Sequence, residues 1–141
     1  MRVLLLGGTA EARALAAELN PAVTVISSLA GRVPDPALPV GEVRIGGFGG
    51  VDGLCKWIRD ERIAAVVDAT HPFAARITAN AAQVCRQAGV PHVILARPAW
   101  PQGDALVVDS DVEAADVVAR NRYSRVFLTT GRSGSAAFAK V

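Results

Sequence analysis

The sequence predicts an α/β protein: a parallel, doubly wound sheet with helices on both faces. Three observations predict it. Short β-branched runs alternate with longer helical patterns, the connections between them are mostly short, and glycine pairs and small hydroxyl residues recur where the runs end. Such alternation implies right-handed crossovers and a sheet covered on both sides.

Residues 3–6 are wholly apolar, the pattern of a strand buried on both faces. After Gly7 and Gly8, a helix over 10–19 carries Ala12, Leu15, Ala16 and Leu19 on one side, and Asn20 with Pro21 stops it. A second strand is expected over 23–27, after which Pro34, Pro36 and Pro39 keep 29–41 irregular. A third strand at 43–45 runs into Gly46-Gly47-Phe48-Gly49-Gly50, then a helix over 51–59 and a strand over 63–68. Pro72 opens the next helix, with Phe73, Ile77, Ala81, Val84 and Ala88 on its apolar face and Gly89 at its close. A fifth strand covers 92–96 and a small extra one 105–108. Ser110 and Glu113 have the spacing of a capping box for a helix to residue 120, and a sixth strand is expected over 126–129.

The chain has 141 residues, 51% hydrophobic against 20% charged, enough for one packed domain or one domain and the start of another. A formal charge of +2, with its basic residues dispersed, offers no track for a nucleic-acid backbone. Cys55 and Cys85 are far apart, with no CxxC and no clustered histidines. That argues against a disulfide framework or a metal site and for reduced, cytoplasmic thiols. The apolar start is too short for a secretory signal, and no segment has the length of a membrane span.

In a doubly wound sheet, ligands bind at the carboxyl ends of the strands, so the strand exits carry the functional reading. Gly7, Gly8, Thr9 and Ala10 follow the first strand and open the first helix. Glycines there let backbone N–H groups approach a pyrophosphate at the positive end of the helix dipole, and Thr9 adds a hydroxyl donor. The run is neither GxGxxG nor a P-loop, and a tight turn with an N-cap needs the same residues. Ser27 and Ser28 end the second strand, where a protein preferring NAD commonly carries an acid for the ribose 2′-OH. Serines followed by Gly31 and Arg32 suit a 2′-phosphate instead.

Gly46 and Gly47 allow close approach to a ligand or simply a sharp bend, and Phe48 either lies against a ring of the ligand or joins the core. Asp68-Ala69-Thr70-His71-Pro72-Phe73 puts an acid, a hydroxyl and an imidazole at a central exit. Thr70 is placed to cap the following helix and Asp68 to brace the loop, while His71 is on the ligand rim. His92, inside a strand, reads as structural. Arg132-Ser133-Gly134-Ser135 misses the GxSxG elbow by one place and has no histidine downstream, which excludes a serine hydrolase.

LLLGGTAEAR, SSLAGR, GGFGG, DATHPFA, LARPAW and VFLTTGR, in this order and spacing, resemble the precorrin-6A reductases of cobalamin biosynthesis over the whole chain. The resemblance implies a Rossmann-like fold of two α/β domains with the active site between them. It implies a reaction in which NADPH reduces a double bond of the precorrin-6A macrocycle, giving precorrin-6B. Carried over by position, the cofactor phosphates would lie near Gly7, Gly8, Thr9 and Ala10, and the ribose end near Ser27, Ser28 and Arg32. Gly46, Gly47, Thr70 and His71 would lie near the nicotinamide and the substrate, with His71 the candidate catalytic proton donor. Arg44, Arg76, Arg97 and Arg132 would meet the carboxylates of the tetrapyrrole. Residues 1–124 would form the NADPH-binding domain and 125–141 would begin a second domain that family members continue.

Two other readings share these residues. One is a different nicotinamide oxidoreductase with the same half-fold; the other is a non-catalytic nucleotide-binding module or a flavodoxin-like FMN carrier, which would colour the protein yellow. If Arg32 grips the 2′-phosphate, Arg32→Ala weakens NADPH roughly ten- to a hundred-fold, the worth of a charged hydrogen bond, and leaves NADH nearly unchanged. Titration with Trp57 and Trp100 fluorescence as the reporter measures both, and equal losses refute the assignment.

Overall fold

The computed structural model describes residues 1–31, 35–96, 101–130 and 134–139. The chain divides into two compact units, residues 1–98 and 99–141. Five strands build the first: β1 (Arg2–Leu6), β2 (Thr24–Leu29), β3 (Glu42–Ile45), β4 (Ala65–Asp68) and β5 (His92–Ile94). All neighbours pair in parallel, in the order β3-β2-β1-β4-β5. Helices α1 (Ala10–Leu19), α2 (Gly50–Asp60) and α3 (Ala75–Ala88) follow β1, β3 and β4. The chain winds outward from β1 to β3, crosses back to β4 and winds the other way, so the strand order reverses between β1 and β4.

Side-chain alternation along the strands assigns the two faces. Leu5, Val25 and Ala69 join Ala12 and Ala16 of α1 in one cluster. Leu4, Leu6, Ile26 and Val66 join Leu54 and Ile58 of α2 and Ala81 and Val84 of α3 in the other. The alanines let α1 approach the sheet closely. Cys55 and Cys85 are buried free thiols that fill the second cluster as small apolar groups, and burial pushes the Cys85 thiol pKa up. Among the described residues the connection from β2 to β3 carries no helix, as its prolines predict. Pro36 and Pro39 instead share a pocket with Gly8 and Ala12 on the α1 side.

The start of α3 differs from the sequence expectation. It begins at Ala75, with Ala74 as a cap that has no side-chain bond, so Pro72 does not open it. Phe73 is 92% exposed and lies outside the apolar face. The cause is a turn: the Thr70 hydroxyl donates back to Asp68, and the Ala74 N–H donates to the His71 carbonyl at 2.8 Å. The buried face of α3 is then Ala81, Val84 and Cys85, and Gly89 caps it as expected.

In the second unit, α4 (Asp111–Arg120) is followed by a short 3-10 turn, Ser135–Phe138. The capping box forms with a shift of one residue. Ser110 Oγ accepts the Glu113 N–H at 3.1 Å, while the Glu113 carboxylate accepts the N–H of Asp109 at 2.9 Å. Residues 105–108 and 126–129 form no strand. A strand needs a neighbour for its N–H and C=O groups, and neither segment is paired in a ladder among the described residues. Phe127 stands 91% exposed as a result. No helix of the described residues is long and apolar enough to cross a membrane.

Leu54 is fully buried where α2 meets the sheet. Leu54→Ala is expected to cost about 2–5 kcal/mol, read as a lower urea midpoint at unchanged slope. A loss under about 1 kcal/mol would mean that α2 does not anchor this face.

Candidate functional site

Between neighbouring strands the hydrogen-bond ladder continues to the residue just beyond a strand's end. Gly46 N–H donates to the Leu29 carbonyl at 2.8 Å, Gly7 to Ser28 at 3.0 Å, Ala69 to Leu6 at 2.9 Å and Leu95 to Asp68 at 2.8 Å. The exits of all five strands therefore make one continuous edge. Along it, in spatial order, stand Gly46 and Gly47, then Ser27 and Ser28, then Gly7 to Ala10, then Thr70 and His71. Gly46 and Gly47 are thus not brought together with Thr70 and His71. Two strands separate β3 from β4, roughly 14 Å at the usual strand spacing.

At the β1 exit, Gly8 adopts φ +107° and has nothing within 4 Å of where a Cβ would stand. The turn needs glycine, and the space above it is open. Thr9 caps α1 by accepting the Ala12 N–H at 3.1 Å. The sequence offers its hydroxyl to a phosphate; in the structure the hydrogen goes to the Ala69 carbonyl at 2.8 Å. Thr9 is buried, and it binds the start of α1 to the exit of β4 across the reversal in strand order. What this turn can present to an anion is main-chain N–H at the positive end of α1, beside the exposed Ala10.

Alternation along β2 sends the two serines to opposite faces. Ser27, 1% exposed, lies on the α1 side and lines a pocket of about 170 Å³ with Gly7, Gly8, Arg13, Leu29 and Pro36. Its hydroxyl is buried without a hydrogen-bond partner, a rare state for such a group. Ser28 lies on the other side, where it accepts Arg44 Nη1 at 2.9 Å. Arg44 also donates to the Gly46 carbonyl at 2.9 Å and the Gly47 carbonyl at 3.1 Å. Its guanidinium lies 3.9 Å from the Phe48 ring centre and 5.6 Å from that of Trp57, and burial lowers its pKa. Arg44 therefore clamps the glycine loop. Phe48 sits edge-on to Trp57 at the margin of the core, and a Cβ at Gly53 would overlap the Phe48 carbonyl, so the loop closes directly onto α2.

At the β4 exit, Asp68 is 2% exposed. Its Oδ1 accepts the Thr70 N–H at 3.0 Å and the Thr70 hydroxyl at 2.6 Å, while Oδ2 has no partner. Thr70 consequently braces this turn and does not cap α3. His71 is exposed, and its Nδ1 accepts the Phe73 N–H at 3.3 Å. In the neutral ring the hydrogen is then on Nε2. Arg76, in the first turn of α3, is exposed. Arg32, Arg97 and Arg132 lie outside the described residues. Arg13 is not apparent from the sequence, where it reads as one more charge on a helix; its one signal is its place a turn after Thr9.

A larger open depression of about 490 Å³ lies at the amino ends of the strands, lined by Met1, Pro21, Thr24 and Glu42, away from this edge. Among the described residues no three His, Cys, Asp or Glu converge as a metal site would require.

The family description precorrin-6x reductase CbiJ/CobK matches residues 2–141. A precorrin-6A reductase of Mycobacterium tuberculosis is 72% identical over 138 residues, covering 98% of this chain and 57% of the relative. One from Rhodococcus erythropolis is 54% identical over 142 residues, covering 98% and 57%. A cobalt-precorrin-6A reductase of Salmonella typhimurium is 31% identical over 138 residues, covering 92% and 51%. A solved structure of CobK precorrin-6A reductase matches with a TM-score of 0.75 at 40% identity, over 83% of this chain and 48% of that one. The chain spans about half the length of the curated relatives it matches. In sequence and in fold alike, it belongs to the precorrin-6x reductase CbiJ/CobK family.

Proposed function

We propose that this chain is the cofactor-binding part of an NADPH-dependent precorrin-6A reductase, which reduces a double bond of the macrocycle to give precorrin-6B. The observation that carries the reading is the β1 exit, which borders the β1/β4 reversal on one side and a pocket toward β2 on the other. There an open glycine turn, the start of α1 and an unpartnered buried hydroxyl surround one pocket. A crevice at such a reversal is where doubly wound sheets hold nucleotides. The relatives at 72% and 54% identity are named precorrin-6A reductases, and the cobalt-precorrin-6A reductase stands at 31%, which favours the metal-free macrocycle as substrate.

The residues present fit a dinucleotide. Gly7, Gly8 and Ala10 would hold the pyrophosphate at the α1 dipole, and Ser27 the ribose end. Gly46 and Gly47, on the β3 side, fall with the adenosine half, which leaves Thr70 and His71 for the nicotinamide half and the substrate. When bound, NADPH supplies the hydride. The chain's own residues then orient and protonate. Asp68 fixes Thr70, and the Phe73 N–H orients the neutral His71 ring; to give a proton to the macrocycle His71 would first take one up on Nδ1, releasing the Phe73 N–H, and return to neutral imidazole afterwards. Arg76 is the exposed cation one turn away for a macrocycle carboxylate, whereas Arg44 is engaged by the glycine loop.

Gly8→Val is expected to abolish NADPH binding while the chain stays folded by circular dichroism, since its side chain would fill the open space over the turn and strain a backbone at φ +107°. A folded variant that binds normally would reduce this loop to a bend. The second test is turnover, followed as NADPH oxidation with precorrin-6A in a protein of the relatives' full length that carries this chain. His71→Ala should lower kcat by about 10²–10⁴-fold if it donates the proton, with NADPH affinity held within a few-fold. A small loss with raised KM would make it a positioning contact, and unchanged kinetics would leave it the brace of the turn before α3.

A further inference from the structure

One hydroxyl lies between the two places that the reduction must bring together. Thr9 directly follows the open Gly8 turn, and its Oγ1 donates at 2.8 Å to the carbonyl of Ala69, which stands two residues before His71. The Ala69 N–H donates in turn to the Leu6 carbonyl at 2.9 Å. The residue from which the His71 turn starts is therefore held at both its N–H and its C=O. A hydroxyl has one hydrogen; here the Ala12 N–H, at 3.1 Å, uses the acceptor side and Ala69 uses the donor side. Thr9 is 7% exposed, so water competes poorly for either bond. Capping a helix needs only the acceptor side, and asparagine, aspartate or serine serves it at least as well. The donated hydrogen does something capping does not require. It joins the start of α1 to the exit of β4, between strands whose chains leave toward opposite halves of the sheet.

We propose that Thr9 is a positioning residue for the reduction: it sets the separation between the cofactor, anchored on the α1 side, and the His71 turn on the β4 side. The inference rests on the NADPH-dependent reductase reading above and deepens it. In that reading a hydride and a proton reach one double bond from two anchors on different segments of the chain. A misplacement of about 1 Å between such groups can cost roughly 10²-fold in rate. Below the edge, the ladder holds β1 and β4 about 4.8 Å apart. The ladder ends at Ala69, and the Thr9 bond extends its register into both turns. Two other roles compete for the same residue. One is a hydroxyl donor to the cofactor phosphate; the other is a cap for α1 with no bearing on the reaction.

The test uses a protein of the relatives' full length that carries this chain, as wild type, Thr9→Gly, Thr9→Ser and Leu54→Ala, each checked by circular dichroism and urea unfolding. Glycine is a serviceable cap, so Thr9→Gly removes the bond to Ala69 and largely spares α1. It should lower kcat with precorrin-6A about 10- to 100-fold while the Kd for NADPH changes by less than about threefold. Thr9→Ser, which keeps both bonds, should return kcat to within about threefold of wild type. Leu54→Ala loosens the opposite face of the sheet and should keep kcat while folded; a loss there equal to that of Thr9→Gly would overturn the proposal. In a His71→Ala background, Thr9→Gly should cost little more, because both act on one step. A full further loss in that background overturns the proposal. A ten- to a hundred-fold rise in the Kd for NADPH with kcat preserved also overturns it, in favour of a phosphate donor. Wild-type kinetics in Thr9→Gly would leave Thr9 a cap alone. All of these outcomes leave the reductase reading standing, whereas a wild type that does not oxidise NADPH with precorrin-6A removes both.

Discussion

Thr9 makes two hydrogen bonds on which the arrangement of the edge depends. Its hydroxyl donates to the carbonyl of Ala69, sixty residues away, at 2.8 Å and accepts the N–H of Ala12 at 3.1 Å. β1 and β4 are neighbours, but the chain leaves them in opposite directions, one toward α1 and β2, the other toward α3 and β5. The Thr9 bond ties those two departures together across the gap. With the hydroxyl fully used and buried, the start of α1 is held at one angle to the sheet, and an anion above it meets backbone N–H groups. The Asp68–Thr70 turn begins one residue from the same carbonyl, so the aim of His71 is referred to the same point.

A second constraint is the period of two along β2. It puts Ser27 and Ser28 on opposite faces, each in a different chemical setting. Ser28 belongs to the Arg44 clamp, in which one guanidinium holds a hydroxyl, two carbonyls and the face of Phe48. This is what a glycine loop requires: three of the four positions between β3 and α2 are glycine, so the backbone inside the loop has little to keep it closed. Ser27 keeps its hydroxyl unused in a pocket walled by Pro36 and Pro39, which take the place of a crossover helix. Among the described residues this connection forms no crossover helix, and the pocket lies between its prolines and α1.

Much of this was legible in the sequence. The wholly apolar β1, the alanine face of α1, the prolines of 29–41 and the glycines at strand ends are local signals. Each has one simple structural meaning, because strand and helix periods and proline's missing N–H act within a few residues. From them follow a doubly wound parallel sheet and an edge rich in glycine and hydroxyl residues, and with them the family resemblance. The Ser110–Glu113 spacing is legible for the same reason, a bond spanning three residues.

Other outcomes were decided only by the tertiary structure. The Thr9 hydroxyl goes to Ala69 instead of to a ligand, and Thr70 turns back to Asp68 instead of capping α3, because each partner is set by which strands lie side by side. Gly46 and Gly47 are separated from Thr70 and His71 because strand order, which no local pattern records, puts β2 and β1 between them. Residues 126–129 have the composition of a strand but no ladder among the described residues, since a strand exists only with its neighbour. Local sequence therefore determined the elements and the kind of edge they share. The distances between its residues, and which hydroxyls remain for a ligand, were settled by hydrogen bonds between segments far apart in the chain.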